Sequence, residues 1–245
     1  MKLLIDAGNT RIKWALVNGG GGWLRSGTLP VGQASELPGL LAGLHDKLQI
    51  WVSNVAGEEV ANLVRSIGDG QSVQTHFVVA RELQGGVRNG YSDAAQLGSD
   101  RWAALIAAWR LLQGKCLVVN CGTAITIDAL SGRGEFLGGL IMPGVELMQR
   151  SLADATDQLK SIHLKPEQKK YAQFPLNTAD ALFSGAIQAG CGAIQRQHAL
   201  LGNDALVVLS GGAAEVLREY LNLPLRVVDN LVLQGLLLIS QESNT

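Results

Sequence analysis

The chain has 245 residues, enough for one large domain or two smaller ones, and 47% of them are hydrophobic, so a sizeable core is available. A formal net charge of −1 with no local basic run gives no electrostatic case for nucleic acid. No apolar stretch approaches the roughly 20 residues that span a bilayer, and Asp6 interrupts the short apolar run at the start, unlike a secretory signal.

In chain order, strands are expected at Lys2–Asp6, Arg11–Val17 and about Gly22–Val31, with a hairpin turn at Asn18-Gly19-Gly20-Gly21. A helix follows over Ala34–Leu48, with Leu37, Leu40, Leu41, Leu44 and Leu48 on one face. Then come a strand at Gln49–Val55, a helix at Glu58–Ile67 ended by Gly68 and Gly70, and a strand at Val73–Ala80. Gly98–Gln113 is the clearest helix, carrying Trp102, Leu105, Ile106, Trp109 and Leu112 at helical spacing. The second half repeats the plan, with strands at Cys116–Asn120, Ala124–Leu130 and Gly134–Ile141. A helix over Val145–Leu159 follows the Pro143-Gly144 break, and His163–Phe174 reads as an exposed loop. Thr178–Leu201 is a long helix. A strand at Ala205–Leu209, a helix near Ala213–Leu221, a strand at Leu225–Val228 and an apolar helix at Leu231–Ser240 complete the series. Such an order favours an α/β fold of two lobes, 1–114 and 115–245, each a mixed sheet flanked by helices.

Two segments read as copies of one device. Leu4-Ile5-Asp6-Ala7-Gly8-Asn9-Thr10-Arg11-Ile12-Lys13 aligns with Val118-Val119-Asn120-Cys121-Gly122-Thr123-Ala124-Ile125-Thr126-Ile127, an offset of 114 residues. Each is a buried strand, a tight glycine turn with small polar side chains, and an alternating return strand. Such a turn offers N–H groups to an anion, and two facing turns would hold a polyphosphate from both sides. The usual nucleotide-binding alternatives are absent: no Gly-x-Gly-x-x-Gly opens a helix after a strand, and Gly114-Lys115 lacks the earlier glycine of a P-loop. Three cysteines, Cys116, Cys121 and Cys191, argue against a disulfide framework and for a reducing cytoplasm. Cys121 reads as a small buried filler, having no histidine nearby in sequence to activate it. The histidines show no metal-ligand spacing.

Several polar residues admit two readings. Asp6 either hydrogen-bonds its own turn or holds Mg²⁺ through water, the metal then bridging phosphate oxygens. Lys13, facing away from Ile12 and Trp14, is either a solvated strand lysine or reaches a terminal phosphate. Asp100 is either an acid favoured by a helix dipole or a general base that takes the proton of an alcohol as the O–P bond forms. Arg101 is either a surface arginine or a planar fork for a carboxylate or amide. Tyr91 either packs at a core edge or touches substrate. Gly211 and Gly212 suit either a helix cap or close approach to a nucleotide. Thr126 reads as a β-branched strand residue, and Thr178 as a helix cap.

The paired turns resemble those of the superfamily that contains acetate and sugar kinases, heat-shock chaperone ATPases and actin. Within it, an ordered set of motifs resembles type III pantothenate kinase: Asp6-Ala7-Gly8-Asn9-Thr10 with Lys13, Asn89-Gly90-Tyr91, Gly98-Ser99-Asp100-Arg101, Gly122-Thr123-Ala124-Ile125-Thr126, Gly138-Gly139 with Pro143-Gly144, Asn177-Thr178, and Ser210-Gly211-Gly212. The resemblance implies two duplicated actin-like (ribonuclease H-like) lobes and ATP-dependent phosphorylation of pantothenate, the first step of coenzyme A synthesis. It implies Asp100 as catalytic base, and ATP on Asp6, Ala7, Gly8, Asn9, Thr10, Arg11, Ile12, Lys13 and Thr123. Pantothenate falls to Tyr91, Gly98, Ser99, Asp100, Arg101 and Thr178, in a homodimer of the cytoplasm that binds neither nucleic acid nor membrane. Mg²⁺ would accompany ATP, and a monovalent cation, K⁺ or NH₄⁺, would lie near Asn120. Family members commonly carry Asp there, so the missing charge implies weaker cation holding. Two other readings stay open, a related kinase of sugars or small alcohols and a nucleotide-binding regulatory protein without turnover.

Overall fold

The hydrophobic alternation at the start builds a hairpin. β1 (Lys2–Ala7) pairs antiparallel with β2 (Arg11–Val17), which pairs with β3 (Trp23–Pro30). A computed structural model describes residues 1–41, 48–68, 73–155 and 170–242. The β2–β3 turn is closed by Asn18, whose Oδ1 accepts from the N–H groups of Gly20 and Gly22. On the other side of β1, β4 (Gln49–Asn54) runs parallel, followed by α1 (Glu58–Gly68) and the parallel β5 (Gln74–Phe77), giving a five-stranded sheet ordered β3-β2-β1-β4-β5.

Two expected elements change here. The segment expected to open an α-helix is instead a kinked 3₁₀ stretch over Val31–Leu41, with Pro38 inside it. Proline lacks the N–H and crowds the preceding turn, and Gly32 and Gly39 add backbone freedom that disfavours an α-helix. The rest of the expected helix falls at 42–47, outside the described residues, and Leu37 and Leu48 are buried. Second, β6 (Leu83–Gln84) and β7 (Val87–Arg88) form a small hairpin absent from the sequence reading. Gly85 and Gly86 both have positive φ, +58° and +79°, the backbone that a two-residue hairpin turn demands.

α2 (Ser99–Leu112) ends at Gln113 in the left-handed conformation. β8 (Cys116–Cys121), β9 (Ala124–Leu130) and β10 (Phe136–Pro143) then repeat the opening hairpins. α3 (Val145–Ala155) follows; the remainder of the helix expected to Leu159, and the first part of the expected loop, lie outside the described residues. α4 (Thr178–Leu201), β11 (Leu206–Ser210), α5 (Ala214–Arg218) and β12 (Leu225–Val227) complete a second five-stranded sheet, β10-β9-β8-β11-β12. The two sheets share one topology: in each, the second strand is antiparallel to the first and the next inner strand is parallel to it. This mixed α/β duplication is the expected fold class.

α6 (Leu231–Glu242) does not stay with the second half. The chain forms two compact units, one of Met1–Gln113 with Gly132–Leu137 and the stretch from Asn230 onward, the other of Gly114–Ser131 with Gly138–Asp229. The expected second lobe, 115–245, had included both returning stretches. Within the first unit, Leu3, Ile5, Ile12, Trp14, Ile50 and Val52 pack one sheet face against Val60 and Val64 of α1. The other face is covered by α2 and α6. α6 approaches α2 so closely that a Cβ on Gly235 would strike the Ala103 carbonyl. Lys2 Nζ also donates to the Ser240 carbonyl and hydroxyl oxygens at 2.8 and 2.9 Å, tying β1 to α6. In the second unit, Leu117, Val119, Ile125, Ile127, Val207 and Leu209 pack against Ile187 and Ile194 of α4.

Candidate active site

The β1–β2 turn presents Asp6 at the sheet end. Its register partners are Lys13 on β2 and Ser53 on β4. Among the described residues no hydrogen bond reaches the Asp6 carboxylate. Burial pushes its pKa up from 3.8 to about 7, the Asp100 charge pushes the same way, and Lys13 opposes them. Asp6 and Asp100 therefore share one electrostatic environment. A carboxylate without a hydrogen-bond donor, repelled by a second carboxylate, is a site that a cation relieves, so the donor set fits hydrated Mg²⁺.

The turn itself uses one of its expected donors. The Gly8 N–H donates to Arg11 O at 3.1 Å and so closes the loop instead of facing a ligand. Asn9, Thr10 and Arg11 are exposed, whereas the side chains of Ala7 and Ile12 are fully buried in the core and leave only main-chain atoms for a nucleotide. Lys13 is half-buried beside Asp6 and forms no close ion pair among the described residues.

The segment from β7 to α2 is pinned by its own polar side chains. Asn89 Oδ1 accepts from Tyr91 N, its Nδ2 donates to Ala94 O, and Asp93 caps the short 3₁₀ turn Ala94–Gln96. α2 starts after Gly98, so Ser99, Asp100 and Arg101 occupy its first turn. Asp100 Oδ1 accepts from Arg101 N at 2.8 Å, and its other oxygen has no hydrogen bond among the described residues. Arg101 is not a surface arginine; it is 6% exposed, with Nη1 donating to the Tyr91 hydroxyl at 3.1 Å. The guanidinium lies 5.9 Å from the Tyr91 ring and 5.7 Å from that of Phe136. Phe136 was not singled out from sequence. It belongs to the stretch that returns to the first unit, where Arg88 N donates to Gly134 O and the Phe136 carbonyl closes on Gly90. Ser53, also missed, hydrogen-bonds Ser99 through the two hydroxyls at 2.9 Å.

The second unit holds the second turn. The Gly122 N–H donates to Ala124 O at 3.0 Å, and exposed Thr123 remains at the tip. Gly144 N donates to Thr123 O and Ala213 N to Cys121 O, so the Pro143-Gly144 and Ser210-Gly211-Gly212 motifs both brace this turn. Gly211 has φ +96°, and a Cβ there would meet Asn120 Oδ1 and Cys121 O. Asn120 faces Thr126 on β9 and Ser210 on β11. Measured by register, this turn is one residue shorter than the first: Lys13 matches Thr126 across their strands, as Asp6 matches Asn120. Thr178 is not the cap of α4; Asn177 fills that role, its Oδ1 accepting from Asp180 N, which leaves Thr178 exposed. The three cysteines are buried, with thiol pKa values pushed up to about 12, 12 and 11 for Cys116, Cys121 and Cys191.

Comparison with known proteins places this arrangement. Residues 2–199 match the family model described as type III pantothenate kinase. This chain belongs to that family. A type III pantothenate kinase of Nitrosospira multiformis is 46% identical over 99% of this chain and 92% of its own length, and one of Aromatoleum aromaticum is 42% identical over 99% and 98%. The type III pantothenate kinase match therefore runs beyond the family model, through β11 and α6. Among solved structures, a putative 2-dehydro-3-deoxygalactonokinase from Sinorhizobium meliloti aligns over 100% of the chain and 99% of its own, with TM-score 0.63 and 15% identity. A putative Baf family transcriptional activator from Campylobacter jejuni gives TM-score 0.61 and 22% identity over 99% and 100%. These two likenesses show the fold, a mixed α/β architecture shared over the whole chain. No described helix is long and apolar enough to cross a membrane.

Proposed function

We propose that this chain carries out its family's reaction, ATP-dependent phosphorylation of pantothenate to 4′-phosphopantothenate at the head of coenzyme A synthesis, through the residues gathered at Asp6 and Asp100. The observation that carries the residue assignment is that Asp6 and Asp100 fall in one unit, where the Asp100 charge adds to burial in pushing the Asp6 carboxyl up, with Arg101 buried next to Asp100 in the first turn of α2. Asp100 has an oxygen free to accept the proton of the primary alcohol as it attacks phosphorus. Arg101, held by the Tyr91 hydroxyl and flanked by two rings, presents a fixed fork to the acceptor's carboxylate or amide. Asn9 and Thr10 on the first turn and Lys13 on β2 are its phosphate-binding residues, and Thr123 is the corresponding residue of the second turn. Asp6 would hold hydrated Mg²⁺, which when bound neutralises phosphate charge.

Three finer assignments belong to the same reading: Thr178 contacts pantothenate within a homodimer, Asn120 is a weak oxygen ligand for K⁺ or NH₄⁺, and the protein works in the cytoplasm. The testing experiment is a product assay with ATP, Mg²⁺ and pantothenate, with and without K⁺ and NH₄⁺. Formation of phosphopantothenate supports the reading; phosphorylation of sugars alone, or binding of ATP and pantothenate without product, overturns it.

A further inference from the structure

Ser53 lies on β4 directly across from Asp6, and none of its surface is exposed. Its hydroxyl is 2.9 Å from that of Ser99, at the first residue of α2 and next to Asp100. Neither serine side chain forms another hydrogen bond among the described residues. Between two hydroxyls only one proton is shared, so the other must find an acceptor elsewhere. If Ser99 donated, the Ser53 proton would be left unpaired in a sealed interior, and a buried unsatisfied donor is strongly disfavoured. If Ser53 donates, the leftover proton sits on Ser99, which is 9% exposed in the first turn of α2.

We infer that Ser53 is a positioning residue, its buried hydroxyl donating to Ser99 Oγ so that the Ser99 hydroxyl proton is aimed at the acceptor substrate. The inference rests on the kinase reading above and names a specificity element of that site. Ser53 touches no reacting atom. It orients a hydroxyl that recognises an oxygen of the substrate, either its alcohol or its amide.

Steady-state kinetics on Ser53→Ala, Ser99→Ala and the double variant test it, with pantothenate binding by calorimetry as a second readout. Ser53→Ala should raise KM for pantothenate about fivefold, the worth of one neutral hydrogen bond, while KM for ATP stays within twofold. Ser53→Cys, with its weak S–H donor, should fall between. In the Ser99→Ala background the Ser53 change should add nothing, because the two act as one unit. A purely packing role would instead move both KM values and multiply with Ser99→Ala. Unchanged pantothenate KM and affinity in folded Ser53→Ala, or multiplicative effects, overturn the inference. A wild-type protein that neither binds nor phosphorylates pantothenate would instead overturn the functional reading.

Discussion

Replacing Asp6 by Asn should stabilise the ligand-free protein while abolishing its activity. The Asp6 carboxyl has pKa 3.8 when free and about 7 in the fold. Between those values the folded state holds a proton that the unfolded state has released. Folded stability therefore declines as pH climbs from about 4 to 7, and above that the full penalty is present. With about 1.4 kcal/mol per tenfold change in proton affinity, the penalty is on the order of 4 kcal/mol at pH 8. Asparagine has no charge to bury or to be repelled by Asp100. For a chain of this size such a gain corresponds to a rise of about 10 °C in melting temperature. Thermal unfolding of both proteins without nucleotide, at pH 8 and stepwise down to pH 4, reads the effect. The gap should be widest at pH 8 and close near pH 4. Turnover of Asp6→Asn should meanwhile fall by about two orders of magnitude or more, since the amide cannot hold hydrated Mg²⁺ as a carboxylate does. If Asp6→Asn melts at or below the wild type at pH 8, the claim that Asp6 is a buried charge only partly offset by Lys13 is wrong.

Asp100→Asn should keep its circular dichroism spectrum and lose about 10² to 10⁴ in kcat; near-normal phosphopantothenate production would remove Asp100 from its role. Arg101→Lys keeps the charge but not the fork, and should raise KM for pantothenate about tenfold in an initial-rate assay while leaving KM for ATP nearly constant. Gly235→Ala drives a Cβ into the Ala103 carbonyl and should destabilise by about 1–3 kcal/mol or more, read by denaturant unfolding. Cys121 should resist iodoacetamide in the native protein at pH 7.5 and react once unfolded, because a thiol pushed up to about 12 carries almost no thiolate.

What could be read from sequence was what short-range chemistry dictates. β2, β9 and α4 fall at their expected bounds, since alternation or helical periodicity runs uninterrupted between glycine turns and a capping asparagine. The leucine spacing after β3 suggested an α-helix, but Pro38 overrides periodicity. The β6–β7 hairpin went unread although Gly85-Gly86 announces its turn, because two-residue strands carry no alternation. At the candidate site, residue types left two readings each for Asp6, Asp100 and Arg101 and the family resemblance singled them out, yet neither gave what surrounds them. Arg101 lies against Phe136, 35 positions later, and Ser53 bonds a partner 46 positions away. Neither distance leaves a trace in local pattern. The return of α6 to the first unit was equally invisible, because an apolar helix buries its face against whichever sheet offers one.

The bond from Lys2 to Ser240, and the seat of α6 against α2, have a consequence during synthesis. The domain that starts first finishes last. While the ribosome makes the second half, the α2 side of the opening sheet waits without its cover, and it closes only when the final helix emerges. A released chain truncated before Asn230 should thus hold a formed second unit and a sticky, protease-sensitive first one, a natural client for chaperones.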